Sequence, residues 1–299
     1  MVPKGIGLLL VLGVATPAAW AVTVAGFSPA SNDRFANDLA YIAGGFDMSG
    51  VGRTADGRWA TMITPNVFLS SSHFAPGPGT TLYFYPHNDP GATPVTAVVG
   101  GGEAIGTTDI WMGHLTVPLP IEIGSYTRTT ETLTELNFSA STIAGTNAYL
   151  NGNTPTAGGY GADPRTSQAT GRNVIFSFND NQTFGVLGGG LRQGDVLLTV
   201  EDNPGEGDFV PFETQAQPGD SGAPLFRDSG GALELLGIGS AVGGASTFHS
   251  YTGNYATEID AYIAQHPIPE PRIAVLGALA LLVAGGMRRR RCSPDQDEI

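Results

Sequence analysis

The chain of 299 residues has a single cysteine, Cys292, and between residues 22 and 268 it has neither cysteine nor lysine. One cysteine cannot form an internal disulfide or a cysteine-based zinc cage, which excludes a disulfide-stapled scaffold and a structural metal site of that kind. The fold therefore rests on its core, and its stability is independent of the redox state of its compartment. Positive charge is equally scarce. Residues 22–268 carry eight arginines against 23 acidic residues, a more acidic balance than the −13 of the whole chain. Such a surface excludes broad affinity for nucleic acid or anionic lipid, both of which require cations.

With 41% hydrophobic residues, 43 glycines and 21 prolines, the chain has a globular composition. Its two ends are distinct from the body. Lys4, the apolar stretch Gly5 to Ala15 and the small-residue pattern Pro17-Ala18-Ala19-Trp20-Ala21 predict a secretory signal over 1–21, the alternative being an N-terminal anchor with a short apolar run. At the other end Pro269-Glu270-Pro271 precedes an apolar run from Ile273 to Met287, followed by Arg288 to Arg291. As a helix this run rises about 22 Å, short of a ~30 Å hydrocarbon core unless flanking residues and snorkelling arginines complete it. The arginine cluster stays cytoplasmic by the positive-inside rule. The order resembles the PEP-CTERM sorting signal of Gram-negative bacteria, with Cys292 to Ile299 extending past the usual pattern. The resemblance implies an exosortase-type processing enzyme as partner, transient anchoring in the inner membrane through this helix alone, and delivery to the cell surface or extracellular matrix. A plain C-terminal anchor is the alternative.

The body is a succession of short apolar or alternating segments: Trp59 to Ser70, Thr80 to Tyr85, Pro94 to Val99, Val174 to Phe178, Asp195 to Val200 and Leu233 to Ile238. Turn-forming Gly, Pro, Asn or Asp bound each one, which reads as an all-β fold. One helix is predicted, Tyr255 to Gln265, where Ile259, Tyr262 and Ile263 recur at helical spacing before Pro267. Strands first and one helix last suit a sandwich or a pair of barrels. Glycine-rich stretches at 100–102, 158–161, 188–190 and 243–244 read as loops, and the threonine-rich stretch Thr127 to Thr134 as a linker between two halves.

The chemistry concentrates in Gly219-Asp220-Ser221-Gly222-Ala223-Pro224. A serine hydroxyl needs a base to become a nucleophile, and a tetrahedral oxyanion needs backbone N–H donors, for which Gly219 and Ser221 are placed. Ala223 stands where an α/β-hydrolase elbow has glycine, which excludes that motif. Of the five histidines, His73 ends the run Thr61 to Ser72, and Asp109 directly precedes the apolar Ile110-Trp111-Met112. An acid in that position can fix an imidazole tautomer. The chain order is His, Asp, Ser.

These blocks resemble the chymotrypsin/trypsin family of serine peptidases. Thr61 to His73 is similar to the segment ending in the base, with Ser71-Ser72 where the family most often has two alanines. Asp109-Ile110-Trp111-Met112 is similar to its Asp-Ile-Ala-Leu block, Gly219 to Pro224 to its nucleophile block, and Gly237-Ile238-Gly239-Ser240 to its substrate-pairing strand. The resemblance implies two six-stranded antiparallel β-barrels with a short C-terminal helix. It divides the chain into a first barrel within 22–126, a linker at 127–145, a second barrel with closing helix within 146–266 and the sorting tail at 267–299. His73 is then general base and acid, Asp109 its orienter and Ser221 the acylated nucleophile, with the Gly219 and Ser221 N–H groups as oxyanion hole and a polypeptide as substrate. Asp220 becomes a structural residue that in the family pairs with a newly released N-terminal ammonium. No Arg- or Lys-Ile-Val-Gly-Gly activation sequence precedes His73, so either another N-terminus serves, Val22 after signal cleavage being one, or the site is stabilised without one. Gln215 falls at the pocket floor, Ser240 and Ala241 at its wall. An amide there rather than an aspartate implies neutral substrate side chains. The alternative function is a catalytically silent surface or matrix binding module on the same barrels. No cofactor and no metal site are expected, and Glu201 to Asp208 reads as a solvated acidic loop.

Overall fold

The computed structural model describes residues 21–155 and 163–268. The predicted signal before Ala21, the glycines at 158–161 and the sorting tail from residue 269 lie outside the described residues. The described chain begins with strand β1 (Thr23–Val24) and a short helix α1 (Pro29–Asn32). Six antiparallel strands then close on themselves: β2 (Val51–Thr54), β3 (Trp59–Met62), β4 (Val67–Ser71), β5 (Thr81–Phe84), β6 (Val95–Ala104) and β7 (Ile110–Leu115), in the ring order β2-β3-β4-β7-β6-β5. Closure removes the exposed edges that such short strands would otherwise present.

The second half contributes β8 (Thr127–Arg128), β9 (Asn147–Gly152), β10 (Ala169–Gly185), β11 (Leu191–Val200), β12 (Thr214–Gln215), β13 (Pro224–Asp228), β14 (Leu233–Gly243) and β15 (Ser246–Tyr251). Their order is β13-β9-β10-β11-β15-β14, and a β13–β14 pairing joins the two ends into a second six-membered ring. Outside that ring, β8 pairs in parallel with β14, and β12 pairs with β1. Helix α2 (Ala256–Gln265) follows β15 and buries Ile259 and Tyr262. The fold is the all-β, two-barrel, chymotrypsin-like architecture expected from the sequence.

Four apolar clusters hold it, three of them large. Met62, Phe68, Leu82, Phe84, Val99 and Leu115 fill the first ring, and Leu150, Ile175, Phe178, Leu197, Leu225 and Leu236 fill the second. A third cluster draws on both, with Trp59, Val67, Leu69 and Ile110 from the first ring packed with Phe226, Leu235 and Ile238 from the second and with Ile259 and Tyr262 of α2. Strands β2, β3 and β4 are buried along their whole length because one face lines their own barrel and the other lines its partner.

Three details differ from expectation. The predicted strand Trp59 to Ser70 is two strands, parted by a turn at Ile63 to Asn66 in which Ile63 and Thr64 N–H both donate to Val67 O. The glycines at 100–102 are not a loop but the middle of β6. A Cβ at Gly102 would lie 2.5 Å from Trp111 Nε1 and 2.6 Å from Met112 O, and one at Gly100 would lie 2.8 Å from His114 Nε2. Only residues without a side chain let β6 approach β7 this closely, and a bulge between Val99 and Gly101 marks the place. The threonine-rich stretch does run between the rings, but its first residues form β8 and pair with Glu234 and Leu235.

Candidate active site

Strand pairing brings two of the three sequence-predicted residues together. Ser71 of β4 is opposite Ile110 of β7, so the residues that flank this pair, Ser72-His73 and Asp109, meet at the same end of the first barrel. Ser72 N–H donates to Asp109 O at 2.9 Å and closes the corner. His73 Nδ1 lies 2.8 Å from Asp109 Oδ2 and 3.0 Å from Oδ1, and the His73 backbone N–H donates to Oδ1 at 3.1 Å. The Asp109 side chain is fully buried and that of His73 nearly so. A carboxylate only accepts, so Nδ1 carries the proton and Nε2 keeps its lone pair.

The third residue arrives from the second barrel. Ser221 sits in a tight turn just before β13, closed by Asp220 N–H to Gln217 O and Ala223 N–H to Asp220 O, and anchored to β14 by Gly222 N–H to Gly239 O. Gly219 takes φ +99, a conformation that a side chain would oppose. His73 Nε2 stands 2.8 Å from Ser221 Oγ. Among the described residues, neither the Gly219 nor the Ser221 N–H donates to a protein acceptor.

Asp220 lies behind this turn, buried to 1% exposure. Its Oδ1 accepts from Asn153 N and Nδ2 at 2.7 and 2.8 Å, and its Oδ2 from Gln217 N at 2.8 Å. Burial pushes its carboxyl up to about 7, against these hydrogen bonds and the attraction of Arg53, which act the other way. Val22 is beside it: Val22 Cβ and Asp220 Cγ lie 2.7 and 2.9 Å from the point that a Gly152 Cβ would occupy. Asn153 Nδ2 also donates to Gly219 O at 3.1 Å, so one amide ties Asp220 to the peptide preceding it.

The residues expected to shape a substrate pocket are placed less uniformly. Gln215 pairs with Thr23 in the β1–β12 ladder, and its Nε2 donates to Gly244 O at 2.5 Å. Ser240 is buried, donates to Ile238 O at 3.1 Å and meets Ser250 Oγ at 2.8 Å. Ala241 packs beside Phe184, Val186 and Val196. Two residues that sequence reasoning missed stand at the acid. Ser72 Oγ donates to Asp109 Oδ1 at 2.9 Å, and Arg192 of β11 donates through Nε to Ser72 Oγ at 2.9 Å. The departure Ser71-Ser72 from the usual alanines was the signal for the first; nothing local in sequence marks the second. No cluster of three or more His, Cys, Asp or Glu arranged to hold a metal occurs among the described residues, and among them no helix is long and apolar enough to cross a membrane.

No protein-family model matches the chain, and no curated protein matches it in sequence. Among solved structures, the NS6 protease of murine norovirus 1 aligns at 16% identity over 70% of this chain and 93% of its own, with a TM-score of 0.40. An inactive mutant of the murine norovirus NS6 protease with a C-terminal extension aligns over 68% of this chain and 93% of its own, also at 16% identity, with a TM-score of 0.39. A likeness of this degree transfers no residue role.

Proposed function

We propose that the chain is a serine endopeptidase that hydrolyses polypeptides through an acyl-enzyme intermediate. The observation that carries this reading is the line Asp109 carboxylate, His73 imidazole, Ser221 hydroxyl, with 2.8 Å at each junction. As the Ser221 oxygen attacks a peptide carbonyl, His73 Nε2 takes its proton and later returns it to the leaving amine. Asp109 holds the productive tautomer and offsets the charge of the imidazolium. The unengaged N–H groups of Gly219 and Ser221 receive the oxyanion. Gln215 in place of an acid favours neutral substrate side chains. The terminal segments extend the proposal to an exported protein, cleaved after Ala21 and carried to the cell surface by the tail.

Reaction with a fluorophosphonate probe tests this directly. The protein is expected to label at one site and to lose all labelling in Ser221→Ala. A correctly folded protein that does not label would favour the catalytically silent binding module instead.

A further inference from the structure

The buried carboxylate of Asp109 is served by a chain of donors that reaches into the other barrel. Arg192, on β11 of the second ring, donates from Nε to Ser72 Oγ at 2.9 Å. A guanidinium only donates, so the hydroxyl accepts there and turns its own proton onward. That proton has Asp109 Oδ1 at 2.9 Å and Thr108 O at 3.2 Å within reach, and the carboxylate is the stronger acceptor. Arg192 Nε is itself 3.6 Å from Asp109 Oδ1, with its side chain 28% exposed while Asp109 is wholly enclosed. A carboxylate taken out of water needs both hydrogen bonds and a compensating charge, and Arg192 supplies a permanent cation 3.6 Å from Oδ1.

We propose that Arg192 and Ser72 form a positioning relay for the triad, linking the barrel that carries Ser221 to the acid in the other barrel. The proposal rests on the serine-peptidase reading and adds one property to it: the relay spans the two barrels at the acid, so it helps hold Asp109, and through it the His73 ring, in register with Ser221 Oγ.

The test compares Arg192→Gln, Arg192→Lys, Ser72→Ala and the double variant, using the rate of fluorophosphonate labelling, kcat and KM on a peptide substrate, and the downfield NMR signal of the His73 Nδ1 proton. Arg192→Gln is expected to label about tenfold more slowly and to move the proton signal. Arg192→Lys restores part of the rate, because an ammonium keeps the charge and loses the planar donor. Ser72→Ala and Arg192→Gln together cost no more than the larger single loss, as members of one relay do. A parental rate with an unmoved proton signal in Arg192→Gln overturns the relay, and so does a change confined to the KM of a peptide substrate, which would make Arg192 a substrate contact. If the parent protein does not label at any pH, the peptidase reading fails. The proton signal then still decides the relay: it stands if the signal moves in Arg192→Gln and falls if it does not.

Discussion

Asp109 is the residue whose environment is most completely specified. Oδ1 gathers Ser72 Oγ, the His73 backbone N–H and one approach of the imidazole, and Oδ2 faces Nδ1 at 2.8 Å. An asparagine of the same shape would present an amide to one of these donors and turn the imidazole to the wrong tautomer. Asp109→Asn is therefore expected to fold normally and to lose roughly 10³ to 10⁴ in kcat with little change in KM. Steady-state peptide hydrolysis together with thermal unfolding checks this, and an activity within tenfold of the parent would remove Asp109 from the mechanism. The three residues of this line were legible because each stands in a block with its own local logic: a strand-end histidine, an acid before an apolar strand, a serine between glycines. Arg192 was not, because it belongs to β11 and comes to Ser72 only when the second barrel is set against the first. One hundred and twenty residues separate the two, and no local pattern spans that distance.

Among the elements, β6 and β7 show how position rather than propensity decides structure. The run Val95 to Ala104 contains three consecutive glycines, a composition that argues for a loop. Its place is decided by what lies across the ladder, where Trp111 and His114 of β7 fill the space that β6 side chains would take. Gly102→Val is expected to destabilise the protein by about 1–3 kcal/mol through overpacking against Trp111. Because β7 begins immediately after Asp109, the same variant should also label more slowly than its loss of stability explains; urea denaturation and labelling at saturating folded fraction separate the two effects. Unchanged denaturation would mean that β6 can move away without cost. The same logic governs which strands the sequence revealed. Trp59 to Met62 and Leu233 to Ile238 were readable because apolar residues occupy both faces. Ser246–Tyr251 was not, because its inward residues include Thr247 and His249, buried polar groups placed by partners: Thr247 Oγ1 takes Ala216 N–H at 3.1 Å, and His249 Nε2 meets Thr199 Oγ1 at 3.2 Å. Helix α2 was readable from its spacing alone.

For the whole molecule, the absence of disulfides leaves stability to the four apolar clusters, and the buried acids make it depend on pH. Asp220 is the one whose charge bears on both folding and the site. Its carboxyl is raised from 3.8 to about 7 by burial. A group raised on folding binds its proton more tightly in the native state, so its contribution is full below about pH 4 and is lost as pH rises through about 7. Glu213, also raised to about 7 by burial, acts in the same direction. Ionising Asp220 in the fold costs on the order of 4 kcal/mol across that window even with the attraction of Arg53, and a closer cation would lower that cost. The proposed cleavage after Ala21 supplies such a cation. Val22 is buried at 1% exposure and packed beside Asp220 across Gly152, with its N–H donating to Asn153 O at 3.2 Å, so a free amino group at Val22 would enter the same buried pocket as the carboxylate. A chain beginning at Val22 is thus expected to keep most of its stability between pH 5 and 7.5, whereas a chain in which Ala21 still precedes Val22 declines over the same range. Urea midpoints of the two forms across that interval measure the difference, with Asp220→Asn flattening the profile of the longer form. Identical profiles for the two N-termini would show that Asp220 is stabilised without an ammonium and that the Asn153 and Gln217 donors suffice.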